Sequence, residues 1–516
     1  MKSRLLVVLA VLVPLAGCGS SSGGGNGDAD PAKLVPASAP VYVEITARPE
    51  GSTRDDAEAA AKKLLKTDDP GAKAQQLFDQ AFKDQGVSWK DFEPWLGQRV
   101  GAFFTSFADK AQGAFIFTST DDGKAKDTLG KLLRKDDNGK AQVSQRTYKD
   151  VSYDYDATDK DALGTVDGYA VFGSESGFKQ AVDVSKGGQN ITSNKDFTAG
   201  RDAVGAGDSL ANAWTNPQTL LDAIGSNPQA SQALPALRQV FAQLGRSAAA
   251  SFLAKSNALR LNFAAIGAPE SGSRSSGADV AAALPSDAWL AVGIADLGKG
   301  LRKGIGQLNN LGNLGGVDVG GMMSQFESQA DINLKRDVLS WMGDGALYAR
   351  GKSLADLGFV FTVTSTNADR SKVAPKRIAH ALHQFGASVR PADIPGYDSA
   401  YALRFPPLPF AFYVAGSGER VSIGLNPKAM SDVAGPKNKL GDAPAFDSAT
   451  NTLGDGIRPS VLIDFPTVVQ LLEGIGLGNN PDYKKAKPYL DAIGVISAGG
   501  TRDGDTSKAR AAVELR

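Results

Sequence analysis

Few side chains in this 516-residue sequence could do chemistry, and their spacing narrows what that chemistry is. The one cysteine, Cys18, ends the run Leu15-Ala16-Gly17-Cys18, behind a basic start (Lys2, Arg4) and an apolar stretch from Leu5 to Val13. That is the layout of a secretory signal peptide with a cysteine at its cleavage site. The apolar stretch is short of the roughly 20 residues that span a bilayer. The two histidines, His380 and His383, are spaced i, i+3 and share a helix face. A zinc site needs one or two ligands more, and no glutamate lies between or beside them. Gly173-Ser174-Glu175-Ser176-Gly177 has the letters of a nucleophile elbow and follows a strand. The matching place in the second half reads Gly424-Leu425-Asn426-Pro427-Lys428, so a serine or asparagine helix cap explains both. Asp154, Asp156, Asp159 and Asp161, and the loop Asp136-Asp137-Asn138-Gly139, lack the ordered oxygen ligands of a calcium loop and read as solvated carboxylates. The glycines at 312, 315, 316, 320 and 321 are followed by no Lys-Ser/Thr, so they make no phosphate loop. The sequence therefore predicts no catalytic residue, no metal and no cofactor.

The tetrapeptide ending at Cys18 resembles a bacterial lipobox. The resemblance implies cleavage before Cys18, a diacylglyceryl thioether on its sulfur, and a protein lipid-anchored on the extracytoplasmic face of the cell membrane. Removing residues 1–17 takes Lys2 and Arg4 and leaves 54 basic against 56 acidic side chains. That balance argues against a nucleic-acid partner and against a polybasic grip on anionic lipid. Gly19 to Gly27 buries nothing, so residues 18–33 read as a flexible tether on the order of 20 Å long.

The elements behind these residues occur twice. Pro36 and Pro285 each precede an extended apolar segment, Val41 to Ile45 and Leu290 to Ile294. Trp95-Leu96-Gly97 recurs as Trp341-Met342-Gly343, and Ala114 to Thr118 as Gly358 to Thr362. Phe197 answers Phe446, Pro217 answers Pro466, and Arg260 answers Arg510, all in the same order. Two homologous repeats, 34–268 and 279–516, joined by a linker at 269–278, account for this. Strands with alternating apolar and polar positions, joined by tight turns, predict antiparallel pairing. The fold class is α+β: a large, mostly antiparallel sheet per repeat with helices packed on one side. Trp95 and Trp341 are the strongest repeated side chains. They read as core plugs, with a ligand-stacking platform as the other possibility, and the glycine two residues on would supply an unusual backbone angle.

The Leu-x-Pro opening (Leu34-Val35-Pro36, shortened to Leu284-Pro285 in the second copy), the two Trp-x-Gly turns and the lipobox together resemble a bacterial lipoprotein family catalogued as domain of unknown function 3352. That resemblance implies no activity and no catalytic residues. Two functions fit the sequence. One is a non-enzymatic, membrane-anchored envelope lipoprotein presenting two domains for protein or envelope contacts. The other is a carrier for lipid or another apolar ligand.

Overall fold

Alternating strands and tight turns set the plan of both halves of the chain. The computed structural model describes residues 27–107, 111–135, 141–227, 234–269, 276–311, 319–406 and 408–516. Cys18, most of the tether, the loop at 136–139 and residues 270–275 of the linker lie outside the described residues. The chain divides into two units. The first holds the residues up to Glu270 together with Thr501–Arg510 and Leu515; the second holds Ser271–Gly500, Ala511–Glu514 and Arg516.

The first unit runs β1 (Val41–Thr46), α1 (Gly51–Leu65), α2 (Pro70–Phe82), α3 (Trp89–Phe92), β2 (Leu96–Ser106), β3 (Gln112–Ser119), α4 (Asp122–Arg134), β4 (Val143–Tyr148), β5 (Val151–Asp156), β6 (Asp161–Val166), β7 (Tyr169–Ser174), α5 (Glu175–Ser185), α6 (Lys195–Val204), β8 (Ala211–Thr215), α7 (Pro217–Gly225), α8 (Leu234–Phe241), β9 (Ser247–Lys255) and β10 (Ala258–Ile266). Every pairing is antiparallel, in the order β4-β5-β6-β7-β3-β2-β1-β8-β9-β10. β6 and β7 are separate strands although apolar residues run through both segments. Asp167 and Gly168, both at positive φ, make the sharp turn between β6 and β7. β4 is a largely exposed edge strand with no apolar alternation to announce it.

The second unit runs α9 (Gly277–Ala282), β11 (Leu290–Ile294), α10 (Leu297–Leu311), α11 (Val319–Ala330), β12 (Met342–Arg350), β13 (Gly358–Ser365), α12 (Ala368–Gln384), β14 (Ser388–Ala392), β15 (Ser399–Arg404), β16 (Phe412–Gly416), β17 (Arg420–Gly424), α13 (Pro427–Ala434), α14 (Pro444–Leu453), β18 (Val461–Asp464), α15 (Phe465–Gly474), α16 (Pro481–Leu490), β19 (Ile493–Asp503) and β20 (Thr506–Leu515). The strands of this half pair in the order β14-β15-β16-β17-β13-β12-β11-β18-β19-β20, the same walk as in the first unit, although Thr501–Arg510 of the last hairpin counts with the first unit. Helix α9 starts inside the stretch read as linker, where Ser276 and Asp279 cap its free backbone N–H groups reciprocally.

Each unit is an antiparallel sheet with helices, as the alternation implies. In the first, α5 and α6 cover one face, with Phe178 and Phe197 packed over Tyr42, Phe103, Ile116 and Trp214. On the other face, α2, α3 and α4 close the wing formed by β2, β3, β6 and β7 with Phe78, Phe92 and Leu129. That wing is thus sandwiched. Full cover on one face only is confined to the strands beyond it, β1, β8, β9 and β10. The second unit repeats the arrangement, with Met430 and Phe446 on one face and Trp341, Ala374 and Val421 on the other.

Candidate functional site

Several of the residues whose chemistry the sequence raised are engaged in building the fold. Ser174 is buried at the start of α5, and its Oγ accepts from Gly177 N and Gly113 N, both at 3.1 Å. Its hydroxyl also lies 3.1 Å from the Gly113 carbonyl, to which it donates. Asn426 caps α13 in the same role. His380 and His383 are exposed on α12, and His383 Nδ1 lies 2.9 Å from the Ala387 carbonyl. Among the described residues no group of three or more His, Cys, Asp or Glu stands close enough to hold a metal ion. The aspartates of β5 and its turn differ from expectation. Asp154 and Asp156 are buried rather than solvated. Asp156 accepts from Gln142 N and Thr158 N at 3.0 Å, which fixes the β5–β6 turn, and Asp154 faces Lys126 at 3.5 Å.

The two tryptophan turns share one wiring scheme. Trp95 is 0% exposed and Trp341 2% exposed. The Trp95 indole N–H donates to the Asp91 carbonyl at 2.9 Å, and that of Trp341 to the Asp337 carbonyl at 2.8 Å, four residues back in each case. The Trp95 carbonyl accepts from Thr120 N, and the Trp341 carbonyl from Thr366 N, both at 2.8 Å. The aspartate carboxylates are tied to the following helix: Asp91 to Lys131 of α4 at 2.6 Å, Asp337 to Arg377 of α12. The Lys131 hydrogen bond lowers the Asp91 pKa. The Arg336 hydrogen bond, with help from Asn333 N and Arg377, holds Asp337 at about 2. Neither Gly97 nor Gly343 has positive φ, contrary to expectation. Glycine is required by close approach: a Cβ on Gly97 would lie 2.5 Å from Thr118 Oγ1, and one on Gly343 2.7 Å from Thr364 Oγ1.

A buried polar cluster escaped the sequence reading. Glu44, 1% exposed, accepts from Tyr42 Oη at 2.6 Å and from Asn212 Nδ2 and Arg201 Nη2 at 3.2 Å. Burial and the neighbouring Glu44 charge raise the Tyr42 pKa well above its ordinary value. Asn212 pairs across the sheet with Ser251, and Ser251 with Asn262. Both of the latter donate to the Val204 carbonyl at the end of α6. Arg510 Nε donates to Asn262 at 2.6 Å. With its lone pairs occupied, Glu44 anchors α6 on the sheet rather than presenting a base to a substrate. In the second unit the place of Glu44 falls to Gly293, where the backbone of α9 closes in.

What the packing leaves open is apolar. On the face away from α6, cross-strand neighbours run Val43–Ala213–Ala250–Phe263, Ile45–Ala211–Phe252–Leu261 and Val41–Thr215–Ala248–Ala265. Apart from buried Ile45 they are half-buried or exposed, and Phe263 reaches 46%. The floor is rich in alanine, so little side-chain volume stands above the backbone. One edge is marked by Phe104, stacked on Phe107, whose carbonyl accepts from Asn227 just beyond α7. Leu220 and Ile224 of α7 are half-buried as well. The second unit has the equivalent rows Leu347–Val292–Val461–Ala498 and Ala349–Leu290–Ile463–Ile496, half-buried except for Ala349. In α15, Phe465, Val468, Leu471 and Leu472 are half-buried, and Ile475 just after it is 51% exposed. Single exposed apolar residues need no explanation, but contiguous rows mark binding surfaces.

These features define a protein of two α+β units, each with an open apolar sheet face. The chain belongs to the family described as "Protein of unknown function (DUF3352)", whose sequence model matches residues 4–515. No curated protein matches it. Two solved structures of TP0453 are similar. Crystal form IV has 10% identity and a TM-score of 0.26, covering 46% of this chain and 81% of its own. Crystal form I has 9% identity and a TM-score of 0.24, covering 46% of this chain and 79% of its own.

Proposed function

We propose that the protein is a non-enzymatic envelope lipoprotein, held at the membrane by acylated Cys18, that carries an elongated apolar ligand of lipid type on its open sheet faces. Of the two functions expected from sequence, the carrier is favoured by one observation: whole cross-strand rows of apolar side chains stay half-buried beside helices whose own apolar residues are half-buried too. Well-packed interiors leave few such gaps. The alanine floor of the first unit leaves room for an acyl chain, and a ligand there would remove both apolar surfaces from water. Ser174 and Asn426 serve as helix caps and Glu44 as an anchor for α6. We also infer that the two units arose by duplication, supported by their common strand order and common tryptophan wiring.

The test is binding of a fluorescent fatty acid to the purified protein, with bound lipid identified by mass spectrometry after solvent extraction. Saturable binding is expected, and Ala213→Phe combined with Ala250→Phe should fill the floor and weaken it at least tenfold. Absence of saturable binding, or equal binding by the filled variant, would refute the carrier reading.

A further inference from the structure

The connection between β15 and β16 carries exposed apolar side chains at its tip. It reads Phe405-Pro406-Pro407-Leu408-Pro409-Phe410-Ala411, with Leu408 43% and Phe410 45% exposed. Its described residues are tied to one another. Leu408 N donates to the Phe405 carbonyl at 2.7 Å. The Phe412 ring meets Phe410 at 5.3 Å and Phe405 at 6.3 Å, both edge-on. Proline at 406 and 409 limits the freedom of the unfolded chain, so holding the tip in shape carries a smaller entropy loss.

Ser388, which opens β14, pairs with Arg404, which closes β15, so the end of α12 lies at the same end of the sheet as the tip. There Phe385 is exposed and stacks on Phe326 at 5.7 Å with an interplanar angle of 9°. Two segments that flank this apolar end carry charge of one sign. No acidic residue occurs from Arg370 to Ala392 or from Ser399 to Gly418. Those segments carry Arg370, Lys372, Lys376, Arg377, Arg390 and Arg404, together with both histidines. Arg377 is paired with Asp337, and Lys372 lies 3.8 Å from Asp398; Lys376, Arg390 and Arg404 are exposed.

We propose that this end of the second unit docks on an anionic lipid surface. Leu408 and Phe410 enter the boundary between headgroups and acyl chains, and Arg390 and Arg404 lie among the phosphates. Rigid aromatic and apolar side chains collared by arginine suit that boundary, where one side of the contact is apolar and the other charged. The charge complementarity selects a lipid surface over an apolar protein groove, which would leave the collar without partners. The near-neutral total charge conceals it, because the acids lie in other segments. This contact does not depend on lipidation of Cys18 or on the ligand face, so its failure and theirs are separable.

The experiment is co-sedimentation of the unlipidated chain, beginning at residue 18 with Cys18→Ser, with vesicles of phosphatidylcholine alone or mixed with phosphatidylglycerol. Binding should require phosphatidylglycerol and weaken with salt. Leu408→Asp with Phe410→Asp should reduce it at least tenfold. Arg390→Glu or Arg404→Glu should each reduce it about fivefold or more, the scale of one basic residue near such a surface. All four positions are exposed, and an unchanged melting temperature establishes that the variants fold. No binding to the mixed vesicles, equal binding to uncharged ones, or full binding by the tip variant overturns the proposal. So does tip-dependent capture of a protein with no vesicle binding.

Discussion

Replacing Trp95 with alanine tests whether the tryptophan turns hold the cores. The indole is fully buried, with Phe92 at 5.5 Å and Phe117 at 5.9 Å. A tryptophan of this kind buries about 200 Å² of largely apolar surface, worth about 5 kcal/mol at 25 cal/mol per Å². The alanine methyl recovers a small part and the cavity adds to the loss, so about 4–5 kcal/mol is expected. The lost hydrogen bonds add little, because Thr128 Oγ1 still donates to the Asp91 carbonyl at 2.9 Å. Trp341→Ala should be milder, about 3–4 kcal/mol, since its surroundings are aliphatic residues such as Leu339, Met342 and Val363. In a unit of this size each kcal/mol moves the midpoint by about 2–4 °C, so calorimetry should show the affected transition falling by about 8–20 °C for Trp95→Ala and about 6–16 °C for Trp341→Ala. Trp95→Phe keeps a ring and loses the N–H donor; a loss of about 1–2 kcal/mol is expected. If either alanine variant melts within 3 °C of the parent, roughly the shift from 1 kcal/mol, the turns do not hold the cores as argued.

Three further outcomes are expected. Cys18→Ala should abolish membrane partitioning, and a variant that still enters the detergent phase with its signal removed would refute the lipobox assignment. Asp337 is held at about 2, below its ordinary 3.8, so its stabilisation is complete above about pH 4 and disappears as pH falls to 2. Asp337→Asn should therefore lose about 2 kcal/mol at pH 6 and nothing at pH 2, and a gap that does not close on acidification contradicts the ion-pair account. Gly97→Ala must displace Thr118 and should lose about 1–3 kcal/mol in melting experiments, whereas an unchanged midpoint would mean that the close approach relaxes without strain.

How much of this was legible in the sequence differed from feature to feature. Strands such as β1, β9 and β10 were readable because one face is buried and the other is not, which writes a period of two. The β4–β5 turn was not, since Lys149 and Asp150 both take positive φ without a glycine to signal it. Trp95 and Trp341 could be placed in the core because they recur beside the same turn. The reason for their glycines could not be read, since it lies in a threonine some 20 residues away. Glu44 looked like an ordinary polar position in an alternating strand. Its partners Arg201 and Asn212 lie 157 and 168 residues on, and only the fold brings them together. The open apolar rows were half legible. Alternation gives their composition, but exposure depends on where the helices stop.

The first unit's ownership of Thr501–Arg510 sets a timetable for making the protein. Arg246 pairs with Asp505 at 2.8 Å, Gly267 N donates to the Asp505 carbonyl at 2.8 Å, and Arg510 reaches Asn262, contacts spanning up to 259 residues. A chain synthesised from its N-terminus reaches β10 long before the segment that completes that unit exists. During that interval the N-terminal half is an unfinished body with its edge uncovered, and it closes only when the last residues of the polypeptide arrive.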